Sequence, residues 1–240
     1  MKLVWDEFRD AVPLVFHGNP YLGSIIWFTV QVAVVATAIA ALIGLPIALA
    51  IGLGRFRGRR VLHVLANAGL AVPPVLVGLL LYLLFVPTGP LGSLHLVLTR
   101  RSVFIAQTIL AIPYVVALSA AAIQGLPPGL LNQARAFGAS RVQLSVLALR
   151  EARIGVIAAL IAALGSTLSE VGAMVVVGGN LYGYDQTLAG AALFEGNAEH
   201  YEDAIAIGYV LMVLIFIAMC ALGLLQQRGG GIRMRFRPAR

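Results

Sequence analysis

A run of thirty residues, Ser24 to Leu53, carries no charged side chain. At 1.5 Å of rise per residue, about 20 helical residues cross the hydrocarbon core of a bilayer. Four more apolar runs follow: Val61–Val86, Ser102–Ile123, Ile154–Val177 and Ala204–Leu225. Charged residues make up 11% of the chain and hydrophobic residues 60%, at a mean hydropathy of +0.93. A typical soluble domain has about 25% charged residues. The expected fold class is therefore an all-α polytopic membrane protein with five transmembrane helices in one domain, residues 1–240.

Prolines mark where these helices should depart from ideal geometry. Pro46 is expected to bend the cytoplasmic end of the first segment. Pro73-Pro74 removes two adjacent backbone donors and should kink or unwind the second. Pro113 lies within the third. The fourth segment is expected to run unbroken to Gly178-Gly179-Asn180. Pro87–Arg101 reads as a loop with Gly89, Pro90 and Gly92. Leu181–Asp203 reads as a polar loop holding Asp185, Glu195, Glu199, Glu202 and Asp203.

Five spans place the two termini on opposite sides. Arg55–Arg60 holds four basic residues, Arg135–Arg153 four, and the tail after residue 226 five. Only Lys2, Arg9, Arg100 and Arg101 fall on the other side. Cytoplasmic loops are the basic ones, so the N-terminus is expected outside and the C-terminus inside. This placement accounts for the net charge of +7 with no nucleic-acid partner. Residues 1–23 begin with Trp5, Phe8, Val12 and Val15 at helical spacing, with Asp6, Arg9 and Asp10 between them. They read as an external interfacial helix rather than a cleaved signal, because acids interrupt the apolar core a signal needs.

Catalytic machinery is not visible. The chain has one lysine, Lys2, so a phosphate-binding loop of the form G-x-x-x-x-G-K-[ST] is impossible. There is no G-x-S-x-G and no H-E-x-x-H. His17, His63, His95 and His200 are far apart and give no metal-ligand spacing. Cys220 lies within an apolar segment and reads as a buried small hydrophobe. No lysine or arginine falls within a span, so no fixed cation is available there for an anion. The polar residues left in the fourth segment and at its end are Ser166, Thr167, Ser169, Glu170 and Asn180. They are candidates for lining a hydrated path, though each hydroxyl can instead bond its own helix carbonyl. Glu170 is expected to cap freed backbone N–H groups or to bond across helices, with gating as the alternative. Gly165, Ser169 and Ala173 form a small-residue stripe suited to close helix packing.

The one long polar stretch between spans is Asn132–Arg153, NQARAFGASRVQLSVLALREAR. Small residues at Ala134, Gly138 and Ala139 allow another backbone to approach, and glycine permits a sharp turn. The stretch reads either as a docking element for a cytoplasmic partner or as an amphipathic loop lying on the membrane.

This stretch resembles the cytoplasmic loop of ABC-importer permeases, E-A-A, three residues, glycine, nine residues, then I-x-L-P. Ala134 takes the second alanine and Gly138 the glycine. Asn132 and Gln133 replace the acid and first alanine, and Arg150 and Glu151 stand where leucine and proline would be. Ser169–Asn180, SEVGAMVVVGGN, is similar to the corresponding stretch of tungstate-type permeases, relatives of the molybdate and sulfate ones. The resemblance implies the permease core of a type I ABC importer in a bacterial or archaeal cytoplasmic membrane. It implies a docking loop over residues 124–153 with Asn132, Gln133, Ala134, Gly138, Ala139 and Arg141 at its centre. It further implies a homodimer, ATPase subunits that carry the ATP and Mg, and a periplasmic or lipid-anchored oxyanion-binding protein. The cargo expected from it is tungstate, with molybdate or sulfate as the alternative. A gradient-driven secondary transporter is the rival of another class, but no repeat or cluster of membrane acids favours it.

Overall fold

The computed structural model describes residues 20–54 and 56–229. Most of the expected interfacial helix, Arg55 and the end of the basic tail lie outside the described residues. Among the described residues every regular element is helical. In chain order these are α1 (Pro20–Leu53), α2 (Arg59–Gly69), α3 (Pro74–Phe85), a 3-10 turn (Gly92–Leu94), α4 (Arg100–Gln124), α5 (Pro128–Ala136), α6 (Arg141–Glu151), α7 (Arg153–Ser169), α8 (Gly172–Gly178), α9 (Leu188–Asn197) and α10 (Tyr201–Gly229).

Three helices, α1, α4 and α10, are each long and apolar enough to cross a membrane alone. The other two spans are broken. α2 and α3 meet at 102° across Leu70–Pro73, and α7 and α8 meet at 56° across Glu170-Val171. The double proline produces the first break as expected, but as an elbow far sharper than a kink. The second break corrects the expectation of an unbroken fourth segment. There the chain at Glu170 is extended, with φ −79° and ψ 128°. The same break divides the Gly165–Ser169–Ala173 stripe. Gly165 faces Met219 of α10, whereas Ala173 is fully buried against α3.

The core is built on α1 and α4. Gly44 meets Val115 and Gly52 meets Ile123, so contacts advance by the same number of residues in both helices and the pair runs parallel. Ala36, Ala40 and Ala48 on α1, and Ala111 and Ala120 on α4, are fully buried. Small side chains let these helices approach closely, which is how helices associate where lipid removes the hydrophobic drive. α1 continues through Pro46 to Leu53.

The two broken spans lock together through α3 and α8. A Cβ at Gly78 would stand 2.6 Å from the Ala173 carbonyl oxygen and 2.7 Å from its Cα. A Cβ at Gly172 would stand 2.4 Å from Val75 Cγ2. Around this contact Leu81, Phe85, Ala106, Leu110 and Val177 are buried. The carbonyl of Val177 at the end of α8 accepts from Leu98 N and from Ser102 Oγ, each at 3.0 Å.

The segment expected to be a polar loop, Leu181–Asp203, contains α9, and this is a correction. Leu188, Ala189, Gly190 and Ala191 are buried, packed with Ile25 of α1 and Ile207 of α10. Leu188 N donates to Thr29 Oγ1 at 2.8 Å, which pins the insert to α1. Thr187 caps the helix by accepting from Gly190 N. The apolar run of α9 is too short to span a bilayer, so hydropathy alone does not separate it from its acidic neighbours. Cys220 is exposed rather than buried, because much of α10 presents its apolar side chains, Met212, Phe216 and Ile217 among them, outward.

The Gly78 contact generates a prediction. Gly78→Ala should destabilise the purified protein by about 1–3 kcal/mol, since backbone on both sides must move. Gly208→Ala adds a Cβ with nothing within 4 Å and should leave the melting temperature unchanged or raise it. Equal melting temperatures for the two variants would mean that α3 and α8 are not closely packed.

Candidate functional site: a helical hairpin and an elbow crevice

The polar stretch Asn132–Arg153 folds as two short helices with a tight turn between them. α5 ends at Ala136, and Gly138 takes φ +82°. Gly138 N donates to Arg135 O at 2.9 Å, and Ala139 N donates to Ala134 O at 3.0 Å. This left-handed closing residue is one that glycine adopts without a Cβ penalty. α6 then starts with a capping box: Ser140 Oγ accepts from Gln143 N, and Gln143 Oε1 accepts from Ser140 N at 2.7 Å. The S-x-x-Q pattern in the sequence encodes this cap. Ala148 and Leu144 bury one side of α6 against the rest of the chain.

The other side is open. Asn132, Gln133, Gly138 and Arg141 are exposed, and Ala134 and Ala139 are half-buried. Arg135 reaches Asn132 Oδ1 at 3.3 Å. At the tip Phe137 is 91% exposed. An aromatic ring held that far out by a rigid turn is not packed by its own chain. Sequence reading missed it, because a single aromatic in a polar loop has no periodic signal.

The membrane candidates separate into three environments. Ser166 and Glu170 line one crevice of about 250 Å³ together with Leu70–Pro74, Leu110 and Tyr114. This crevice sits in the α2–α3 elbow, with Gly69 held against Pro113 of α4. Glu170 Oε1 accepts from Ala173 N at 3.3 Å, across the break into α8. Thr167 and Ser169 turn to their own helix: Thr167 Oγ1 donates to Leu164 O at 2.8 Å, and Ser169 Oγ donates to Gly165 O at 2.9 Å. Asn180 lies apart, at φ +53°, with Nδ2 donating to Gly190 O at 2.9 Å. It ties the end of α8 to α9 and is not brought to the elbow.

Between the spans on the α9 side is a buried polar group. Asp185 and Gln186 are 1% and 2% exposed. Asp185 Oδ1 accepts from Leu181 N, while Oδ2 has no hydrogen-bond partner among the described residues. Gln186 Oε1 accepts from the Tyr21 hydroxyl. Arg100 donates to Tyr184 O and its guanidinium stacks over Phe28 and Tyr184 at 5.0 and 5.2 Å from the ring centres. Burial raises the Asp185 pKa above the usual carboxylate value, opposed by backbone hydrogen bonds and by Arg100. Further out, His200 Nδ1 is 2.9 Å from Glu195 Oε2. Asp203 joins them in a group whose ligand atoms all lie within 4.8 Å of one another. Spacing among the histidines alone did not reveal this, because the neighbours of His200 are acids.

A mostly helical bundle with two broken spans, an elbow crevice and a protruding hairpin defines a multi-pass membrane permease core. Residues 41–229 match the family of binding-protein-dependent transport system inner membrane components, and the chain belongs to that family. It is 38% identical over 85% of its length, and 89% of the relative's, to a protein of Haloferax volcanii named a probable anion ABC transporter permease protein. It is 29% identical over 95% of its length, and 100% of the relative's, to the tungstate uptake system permease protein TupB of Peptoclostridium acidaminophilum. Its fold matches a chain of the inward-facing MetNI methionine ABC transporter, with TM-score 0.71, 17% identity, and coverage of 91% of this chain and 98% of that one. The protein is thus a multi-pass component of an inner membrane.

The Asp185 shift has a signed consequence. Its folded-state pKa is raised, so folding is favoured more when the group is protonated. Stability from this group is highest below the ordinary carboxylate range and falls as pH rises through the window up to the raised value. As pH rises above the ordinary carboxylate range, Asp185→Asn should therefore gain stability relative to wild type. Thermal melts of detergent-solubilised protein across that rise check this. A difference that does not change with pH would mean that Asp185 is not desolvated.

Proposed function

We propose that the chain is the translocation subunit of an ATP-driven importer for an oxyanion, with tungstate as cargo. The observation that carries the machine is the docking hairpin: a capped helix pair turned at Gly138 and presenting an uncovered Phe137. A ring in this position fits a groove on a separate ATPase subunit. The cargo reading is supported by similarity along nearly the whole chain to a permease named for tungstate uptake.

The working arrangement has two copies around a central path, with Phe137, Gly138 and Ala139 of each seated in one ATPase subunit. The hairpin side faces the cytoplasm and the α9 side faces out, as the distribution of arginine requires. ATP binding draws the ATPase subunits together. α5 and α6 move with them, and the elbows at Leu70–Pro74 and Glu170 change angle. The oxyanion arrives from an external binding protein and passes Ser166 and Glu170 hydrated. No lysine or arginine lies there to hold it, so selection between oxyanions rests with the binding protein. Glu170 serves structure in this scheme. Its carboxylate would repel an anion if it faced the path bare, and instead it accepts the freed Ala173 amide.

The test is ATP-dependent uptake in proteoliposomes that hold the permease, its ATPase and its binding protein. Tungstate should be taken up, and molybdate or sulfate in excess should compete poorly. Phe137→Ala should abolish uptake and ATPase association while leaving folding stability within about 0.5 kcal/mol of wild type, as for a surface side chain with no packing of its own. Normal uptake by that variant would remove the docking assignment. Preferred uptake of molybdate or sulfate would replace the cargo, and uptake without ATP would replace the class.

A further inference from the structure

At the cytoplasmic end of α1 is a crevice that neither the elbow nor the docking tip uses. It holds about 820 Å³ and is lined by Pro46, Leu49 and Leu53 of α1 and by Arg135, Arg141 and Leu144 of the hairpin. One wall is apolar and the other carries two guanidinium groups. Arg135 also borders a neighbouring crevice of about 460 Å³ that includes Arg59 and Asn132.

The charges differ in how far they are already committed. Arg59 is engaged: Nε donates to Ile51 O at 2.6 Å, and Nη2 lies 3.4 Å from Gly52 O, closing the carbonyl end of α1. Arg135 has a 3.3 Å contact with the neutral Asn132 side chain. Among the described residues the one ion pair is His200–Glu195, on the other side of the protein, so no described carboxylate neutralises Arg135 or Arg141.

Depth and shape narrow the ligand. α1 has 34 residues, about 50 Å of helix, against a hydrocarbon core of about 30 Å. Its last turns therefore emerge at the headgroup level, where the arginines sit. Ile39, Leu42, Ile43 and Pro46 recur at helical spacing down the outer face of α1 and are exposed, Leu42 by 77%. This apolar stripe leads into the crevice. A ligand that fits both parts has an acyl chain and an anionic head. Guanidinium forks match phosphate oxygens in geometry, and basic pockets between helices on the cytoplasmic side suit anionic headgroups. A zwitterionic headgroup would bring its own cation beside two uncompensated arginines.

We propose that this crevice binds an anionic phospholipid of the cytoplasmic leaflet, its headgroup phosphate on Arg135 and Arg141 and an acyl chain along Ile39, Leu42, Ile43 and Pro46. The bound lipid braces the docking helices against α1, and so the hairpin's mechanics depend on leaflet composition.

The test is native mass spectrometry of the full-length permease in detergent, titrated with phosphatidylglycerol and with phosphatidylcholine. Phosphatidylglycerol should bind in preference. The double variant Arg135→Gln, Arg141→Gln should lower its affinity by roughly thirtyfold, and each single variant by about fivefold, in line with the worth of a basic residue near an anionic surface. The single variants keep the test open should the double variant fail to fold. Arg150→Gln, which removes a charge outside the crevice, should leave the preference intact. Four results would overturn the proposal. These are equal binding of the two lipids, an unchanged preference in the arginine variants, displacement of the lipid by inorganic phosphate, and displacement of the lipid by the ATPase subunit in the assembled complex.

Discussion

Backbone amides inside a bilayer must find partners within the protein, because hydrocarbon offers none. A chain that breaks two of its five spans must therefore seal each break against protein. The contact between α3 and α8 does this. Gly78 and Gly172 remove the side chains that would hold the two helices apart, so backbone meets backbone at Ala173. Glu170 Oε1 takes one amide freed at the second break, and Ser102 and Leu98 share the Val177 carbonyl near the end of α8. Pro113 fills the space against Gly69 at the first. Each elbow thus survives because the other is packed beside it.

Sealing the breaks leaves the Ser166–Glu170 crevice between them. Two elbows that share one contact cannot bend independently. A pull on α6 passes to α7 at Ala152-Arg153, since the two helices nearly abut, and α7 carries Glu170 at its end. The proposed stroke from the docking hairpin to the elbow therefore runs along one helix. α1 and α4, parallel and closely packed, form the frame against which that helix moves.

Much of the frame was legible in the sequence. Five apolar runs, the arginine asymmetry and the polar, small-residue stretch between spans follow from hydropathy and charge, which act residue by residue. The Pro73-Pro74 break was legible because proline removes donors wherever it sits. The α7–α8 break was not, since SEVGAM contains no proline and its bend depends on tertiary packing around Gly172. α9 was hidden for a related reason: LAGAALF is too short to read as a span, and its burial depends on Thr29, 159 residues away in sequence. The joining of Ser166 to Glu170 could be read from their spacing of four. The separation of Asn180 from them could not, because it follows from the left-handed backbone at Gly179 and Asn180. Phe137 carried no pattern at all.

Whether the elbow crevice carries water and cargo is most directly decided by thiol accessibility. Cys220 is the single natural cysteine, so Cys220→Ala gives a clean background for Ser166→Cys, with Phe216→Cys as the outward-facing control on α10. In the assembled transporter, a small charged, membrane-impermeant thiol reagent should modify Ser166→Cys, and the rate should differ between the nucleotide-free and ATP-trapped states. Phe216→Cys should stay unmodified in both. If Ser166→Cys resists the reagent in every state while the transporter remains active, the crevice is a sealed packing defect and the path runs elsewhere.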